Sequence, residues 1–472
     1  MSLFTVASGT GDYLDRPPLI DPQKVLLIVD SSSTLSVQAA DYYQAARGLG
    51  SHRISINMSA DKSNGGSFTS GLGASATVLK SKYVDPVAAY IDANDIEGIV
   101  LSADVPERCY LPLTNTASAQ QYLVSFPQVL ANARWFSSTG FVESGAGQLS
   151  FSPTVNARVE VKGYYRNGMK PHIRPKLPGD TFALSDGFSI VNGVSNGVVL
   201  AGRMFPLKRG FRGESQFEYS LGAVPAGRLG LGLLSPGRES LSLVQQIIDA
   251  AVAAEGRTWE QTKAAGRRFH VGLHNRYDQF AWSPVLPAYL YEMLSEEGFD
   301  TVYWTRTIPT DSPVHGIYTN PAYTYNSLIT NGTANGGAAW AFVGLAFAND
   351  GPGLTWPSRF QIQQGAWMLE NTSFPQNPGV DLLMNGGVAC MSNVTEPFTS
   401  GVPLIQYVLR NLMSGCSFME ANHHAGGGSK LFASVIGDPL YRPFSASSGS
   451  EVFESNRRLF RASSKKAKGK SR

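Results

Sequence analysis

Cysteine, charge and long apolar runs are all scarce in this chain. Its 472 residues include three cysteines, Cys109, Cys390 and Cys416. An odd, widely spaced set of this kind argues against a disulfide framework. The set also lacks the Cys-x-x-Cys spacing of a structural metal site. The adjacent pair His423 and His424 cannot both face one side of a helix or strand, so no metal and no cofactor is indicated. Charged residues make up 16% and hydrophobic ones 43%, which describes an ordinary folded core under a surface poor in charge. No uninterrupted apolar run reaches about 18 residues, so no membrane span is expected. The amino terminus has no basic n-region and no apolar stretch of signal-peptide length. The expected location is the cytoplasm, or a phage particle into which the chain is packaged.

Glycine, by contrast, is plentiful. Forty-nine glycines, with many Ser, Thr and Asn, imply a loop-rich and turn-rich architecture. The length suits two or three domains, or one elaborated α/β domain with insertions. The net charge of +3 hides an asymmetry. Eight of the 39 basic residues lie in 457–472, a stretch without an acidic residue; the other 31 stand against 36 acidic ones, so the body carries about −5 and the tail +8. Such a tail is either a disordered solubility segment or an electrostatic contact for nucleic acid, an acidic lipid surface or an acidic partner. The body offers no support for nucleic-acid binding, so any such contact falls to the tail alone.

Read in order, the chain alternates strands with helices. Residues 24–30 form a continuous apolar run, as expected for a parallel strand covered on both faces. Val37, Ala40, Tyr43 and Ala46 then fall at helical spacing, and Gly48 stops that helix. Residues 53–57 and 98–102 read as further strands, with a helix near Pro86 between them, which makes a βαβαβ unit and a mostly parallel sheet. From 109 to 223 the texture changes: after a helical patch at 117–133, residues 158–165 alternate at strand period. Asn192-Gly193 and Asn196-Gly197 then read as hairpin turns. This region reads as a β-rich insertion or subdomain that either packs against a partner or closes over the sheet. Regular order returns at 226–234. Ser235-Pro236 reads as a helix start, followed by an apolar face of Leu241, Val244, Ile247, Ile248 and Ala251. Strands are expected at 269–273, 300–305, 338–347 and 431–436, and helices at 287–297, 363–370 and 404–413. The expected divisions are thus an N-terminal extension (1–23), a first α/β half (24–108) and the insertion (109–223). A second α/β half (224–445) and a basic, disordered tail (446–472) complete the chain.

The stretch 380–401 draws the most chemical interest. An apolar run ends in Gly386-Gly387-Val388-Ala389-Cys390, which reads as a buried strand whose last residue carries a thiol onto a loop. Open α/β sheets place their catalytic groups at the carboxyl edges of their strands. A thiolate there is a nucleophile where a base or a positive dipole lowers its pKa. The alternative is that Cys390 is one more small apolar residue at a strand end.

Several segments in order resemble an uncharacterised bacterial family related to the gingipain and caspase group of cysteine peptidases. They are Val25 to Asp30 followed by Ala39-Ala40-Asp41-Tyr42-Tyr43 and Arg47-Gly48, then 99–106, Arg228-Leu229, 387–397 and 435–444. Together they span 24–444, with the region near 110–220 matching poorly. The resemblance implies a caspase-like α/β fold, mostly parallel with helices on both faces. In active members a His-Gly pair ends one strand and an Ala-Cys pair ends the next. Ala389-Cys390 matches the second. The strand expected to carry the histidine ends in Leu345, Ala346, Phe347 and Ala348, without an imidazole. The only His-Gly pair is His315-Gly316, one element too early, in a loop. His315 is therefore either the base for Cys390 or a surface histidine. His423 and His424 are alternative bases; His270 and His274 read as structural, and Asp438 as the cap of an Asp-Pro turn.

Two functional readings follow. In one, Cys390 attacks a peptide carbonyl, His315 takes the thiol proton and amides near Gly386-Gly387 hold the oxyanion, so a peptide is the substrate. In the other, the fold is kept and the catalytic pair lost, which leaves a binding or structural module of a larger assembly, such as a phage particle, with protein partners or self-assembly. An unassisted thiol near its reference pKa of about 8.5 is mostly protonated at neutral pH, which favours the second.

Overall fold

The computed structural model describes residues 19–63, 71–111, 122–139, 224–232, 239–274, 294–295, 298–306, 338–345, 362–370, 378–394, 405–413, 415–425 and 433–445. In the first of these segments a short 3-10 turn (Pro22–Lys24) leads into β1 (Val25–Asp30), whose six residues are all buried. Helix α1 (Thr34–Arg47) follows. The Ser33 side chain accepts from the Ser36 amide at its start, and Gly48 at φ +60 ends it in the left-handed conformation that glycine adopts without strain. Next come β2 (Arg53–Ile56), two short strands β3 (Lys62–Ser63) and β4 (Gly71–Leu72), helix α2 (Asp85–Asn94) and β5 (Gly98–Leu101). Strands β6 (Arg108–Leu111) and β7 (Tyr122–Ser125) precede helices α3 (Phe126–Ala131) and α4 (Ala133–Thr139). The chain continues through β8 (Ala226–Arg228), α5 (Leu241–Ala254), α6 (Trp259–Ala264), β9 (Arg268–His274), β10 (Asp300–Arg306), β11 (Ala339–Leu345) and β12 (Ile362–Glu370). It ends with α7 (Pro378–Met384), β13 (Ala389–Asn393), α8 (Ile405–Met413), α9 (Phe418–Ala425) and β14 (Ala433–Gly437).

These strands make a mixed α/β fold rich in parallel pairing. One sheet has the order β2-β1-β5-β8 and is parallel throughout. A second has the order β10-β9-β11-β12-β13-β14, with only β14 antiparallel. A small sheet has the order β3-β4-β6-β7. The two large sheets meet where the Gly230 and Gly437 backbones exchange hydrogen bonds at 2.9 and 2.8 Å. Both faces of the six-stranded sheet are buried. Trp340, Trp367, Phe269 and Phe418 meet edge-on on one side; Phe342, Met368, Cys390 and Ile436 pack on the other. No helix among the described residues is long and apolar enough to cross a membrane.

Several local expectations are corrected. Residues 363–370 are not a helix but part of β12, paired with β11 and β13, because a central strand apolar on both faces carries no strand-period alternation. The apolar run at 380–384 belongs to helix α7 rather than to a strand. The Gly386 and Gly387 amides return to Leu383 and Leu382, with Gly386 at φ +98, and the strand begins only at Ala389. In the helical patch expected at 117–133, residues 117–121 lie outside the described residues, 122–125 are strand β7 and 126–131 are helix α3. The cap of α5 is Ser240, which accepts from the Leu243 amide, rather than Ser235. Val244, Ile247, Ile248 and Ala251 are the buried face of that helix, as the spacing implies. The strand at 158–165 and the turns at 192–197 lie outside the described residues.

Candidate functional site

Cys390 is the second residue of β13, and its side chain has no solvent exposure. The expectation that it ends its strand and carries a thiol onto a loop is therefore corrected. Register explains the burial. Across the six-stranded sheet, Val302, His270, Phe342, Met368, Cys390 and Ile436 stand in one row. Side chains in a row share a face, and α7 covers this one with Val380, Leu382 and Leu383. The fit is close: a Cβ built at Gly379, in the first turn of α7, would lie 2.5 Å from the Cys390 Sγ. The flanking Ala389 and Met391 point into the aromatic core on the opposite face.

The strand expected to stand beside β13 also differs. β12 intervenes between β11 and β13, so the segments ending near 348 and at 390 are not neighbours. His315 lies outside the described residues, and so does its approach to any thiol. His270 shares the row with Cys390 but three strands away, about 14 Å at a strand spacing of about 4.8 Å, far beyond hydrogen-bond reach. Its ring stands edge-on to Phe342, with centroids 5.5 Å apart, and is 2% exposed. His423 is buried in α9. The other two thiols are equally enclosed. Burial pushes the Cys109 thiol up, and burial with the Glu420 charge does the same at Cys416.

Charge collects instead at the carboxyl edge of the four-stranded sheet. Asp30 closes β1 with its carboxylate buried; Oδ1 accepts from the Ser32 amide and hydroxyl and the Met58 amide, and Oδ2 pairs with Lys62 Nζ at 2.6 Å. Lys62 also reaches Asp104 at 3.0 Å, and Asp104 holds a positive φ of 61°. Next to them Arg228, at the end of β8, pairs with Glu239. Asp30 ends the first apolar run and Arg228 stands in a quoted motif. Their convergence is invisible in the sequence because Lys62, in β3, and Asp104 and Glu239, in loops, come from segments far apart along it. Among the described residues, no group of three or more His, Cys, Asp or Glu is placed to hold a metal ion.

A third arrangement joins α1 to the turn after β14. Asp438 accepts from the Leu440 amide at 3.0 Å, capping the Asp-Pro turn, and also from the Tyr43 hydroxyl at 2.7 Å and from Arg47. Arg47 pairs in addition with Glu255. Glu420, buried in α9, accepts from the Ile20 amide and from Arg442.

No protein family matches the chain, and no curated protein does. Among solved structures it is similar to one described as a complex of Porphyromonas gingivalis RgpB pro- and mature domains. The identity is 11%, over 89% of this chain and 79% of that one, with a TM-score of 0.43. At that score the likeness is a distant one of fold.

Proposed function

We propose that the protein does not use Cys390 as a nucleophile and acts as a binding or structural module of a larger assembly, of which a phage particle is one setting. One observation carries this reading: the Cys390 sulfur lies inside an apolar cluster under α7, without exposure. Attack on a peptide carbonyl needs the sulfur and the carbonyl carbon within about 3–3.5 Å of each other. Reaching that distance here would require α7 to leave the sheet. The composition rich in Gly, Ser and Asn and the basic tail suit a subunit that makes protein contacts or self-assembles.

The test is alkylation of the native protein with iodoacetamide, read by mass spectrometry, alongside hydrolysis of a mixed fluorogenic peptide set and light scattering. The expected result is no modification of Cys390 until urea unfolds the chain, no hydrolysis, and a mass above that of one chain. Rapid native labelling of Cys390, with hydrolysis lost in Cys390→Ala and weakened in His315→Ala, would establish the cysteine peptidase instead. A mass of one chain at all concentrations would remove self-assembly.

A further inference from the structure

Arg228 ends β8 at the carboxyl edge of the four-stranded sheet, where open parallel sheets receive ligands. Its guanidinium is fully buried and forms its ion pair with the Glu239 carboxylate. Glu239 Oε2 accepts from Arg228 Nη2 at 2.8 Å and from the Asp104 amide at 3.0 Å. Oε1 accepts from Nη1 at 3.1 Å and from the Leu231 amide at 2.6 Å. Each oxygen thus meets one guanidinium donor and one backbone donor. The fork is fixed from behind, because Nε donates to the Val105 carbonyl at 2.6 Å and Nη1 also to the Leu229 carbonyl at 3.0 Å. The two amides come from turns that follow neighbouring strands, β5 and β8. Asp104 at φ +61 and Gly230 at φ +90 set the paths of those turns. A non-glycine residue in that conformation is uncommon and persists only where its surroundings enforce it. At Gly230 a Cβ would stand 2.0 Å from Glu239 Oε1, so the backbone can approach the carboxylate only without a side chain.

We propose that Arg228, with the Leu231 and Asp104 amides, is a carboxylate-binding site that Glu239 fills in cis and that accepts a carboxylate from another molecule when Glu239 leaves it. Four donors arranged two to each oxygen match a planar, two-oxygen anion. A tetrahedral phosphate presents further oxygens that this set of four donors does not meet. The other acids facing Arg228 are Glu107 and Asp104. Burial pushes the Glu107 carboxyl up, which makes it a poor substitute counter-ion for Arg228. Acidic side chains and chain ends of proteins are the carboxylates of this class. The site does not depend on the state of Cys390.

The experiment uses the full chain carrying Glu239→Ala, melted at pH 7 in sodium acetate and in sodium chloride of equal ionic strength. Acetate is expected to raise the folded-to-unfolded ratio of Glu239→Ala saturably, about tenfold at an acetate concentration ten times its dissociation constant. The unmodified protein and Glu239→Gln, whose sites stay filled, should not respond. Inorganic phosphate should not replace acetate. If Glu239→Ala does not fold in chloride, refolding yield in acetate against chloride reads the same quantity. The proposal is overturned if Glu239→Ala gains nothing from acetate in either measurement, or if the unmodified protein gains as much. Rescue by phosphate as effective as by acetate would also overturn the planar-anion assignment.

Discussion

Replacing Asp438 with asparagine strikes the buried joint between α1 and the turn after β14. Its carboxylate has no exposure and takes donors from Tyr43 and Arg47, both on α1, and from the Leu440 amide. Arg47 is itself only 8% exposed, so its charge depends on this acid and on Glu255 at 2.6 Å. Asparagine keeps one acceptor oxygen but turns an N–H2 group toward the guanidinium. Removing one partner of a buried ion pair costs about 3–5 kcal/mol, because the other charge is left uncompensated. Glu255 still answers part of the Arg47 charge, which places the cost near the lower end, about 3 kcal/mol. Stabilities of folded domains are about 5–15 kcal/mol, so the loss is a large share. With a urea slope of about 3 kcal/mol per molar, the midpoint should fall by about 1 M, followed by tryptophan fluorescence at pH 7. In an Arg47→Met background the same substitution should cost much less, since the charge it strands is already gone. A loss below about 1 kcal/mol, or equal losses in the two backgrounds, would refute the claim that this pair ties α1 to the turn after β14.

Three other outcomes follow from the packing. Gly379→Ala places a methyl 2.5 Å from the Cys390 sulfur and should destabilise by about 1–3 kcal/mol in urea titration; in Cys390→Ala most of that cost should vanish, and an unchanged cost would contradict the sealed sulfur. Trp367 meets Trp340, Phe269 and Phe418 at centroid distances of 5.4–5.9 Å, so Trp367→Ala should cost about 3–5 kcal/mol by the same assay. Burial alone would push the Asp30 carboxyl up, but hydrogen bonds from Lys62, Ser32 and the Met58 amide outweigh it and hold the group below the usual carboxylate range. Its contribution is therefore complete above about pH 4 and is lost as pH falls through the lower folded value, so Asp30→Asn should flatten that acid limb of a stability–pH curve. An acid limb as steep as before would count against it.

Local signals account for what was legible in the chain. The run ending at Asp30 is buried on both faces, so its continuous apolar character marks a central parallel strand without knowledge of its neighbours. Helix α1 needs only Ser33, Gly48 and an apolar stripe three to four residues apart, and α5 needs only its stripe. Asp438 beside Pro439 likewise signals its own turn. The failures share one cause. Residues 380–384 and 363–370 are short apolar stretches, and such a stretch in a core covered on both faces looks alike as helix or strand. Which of the two forms is set by what packs on it: α7 lies over Cys390, and β12 slots between β11 and β13.

The sequence alone thus determined the α/β class, the parallel strands β1, β2 and β5 and the glycine stop of α1, because each depends on residues a few positions apart. Only the tertiary structure decided that the thiol of Cys390 lies in the second position of its strand beneath a helix, and that Asp30, Lys62, Asp104, Arg228 and Glu239 gather at one sheet edge. Those outcomes depend on register and on contacts between segments up to about two hundred residues apart, and a one-residue slip in register turns a side chain to the opposite face of its sheet.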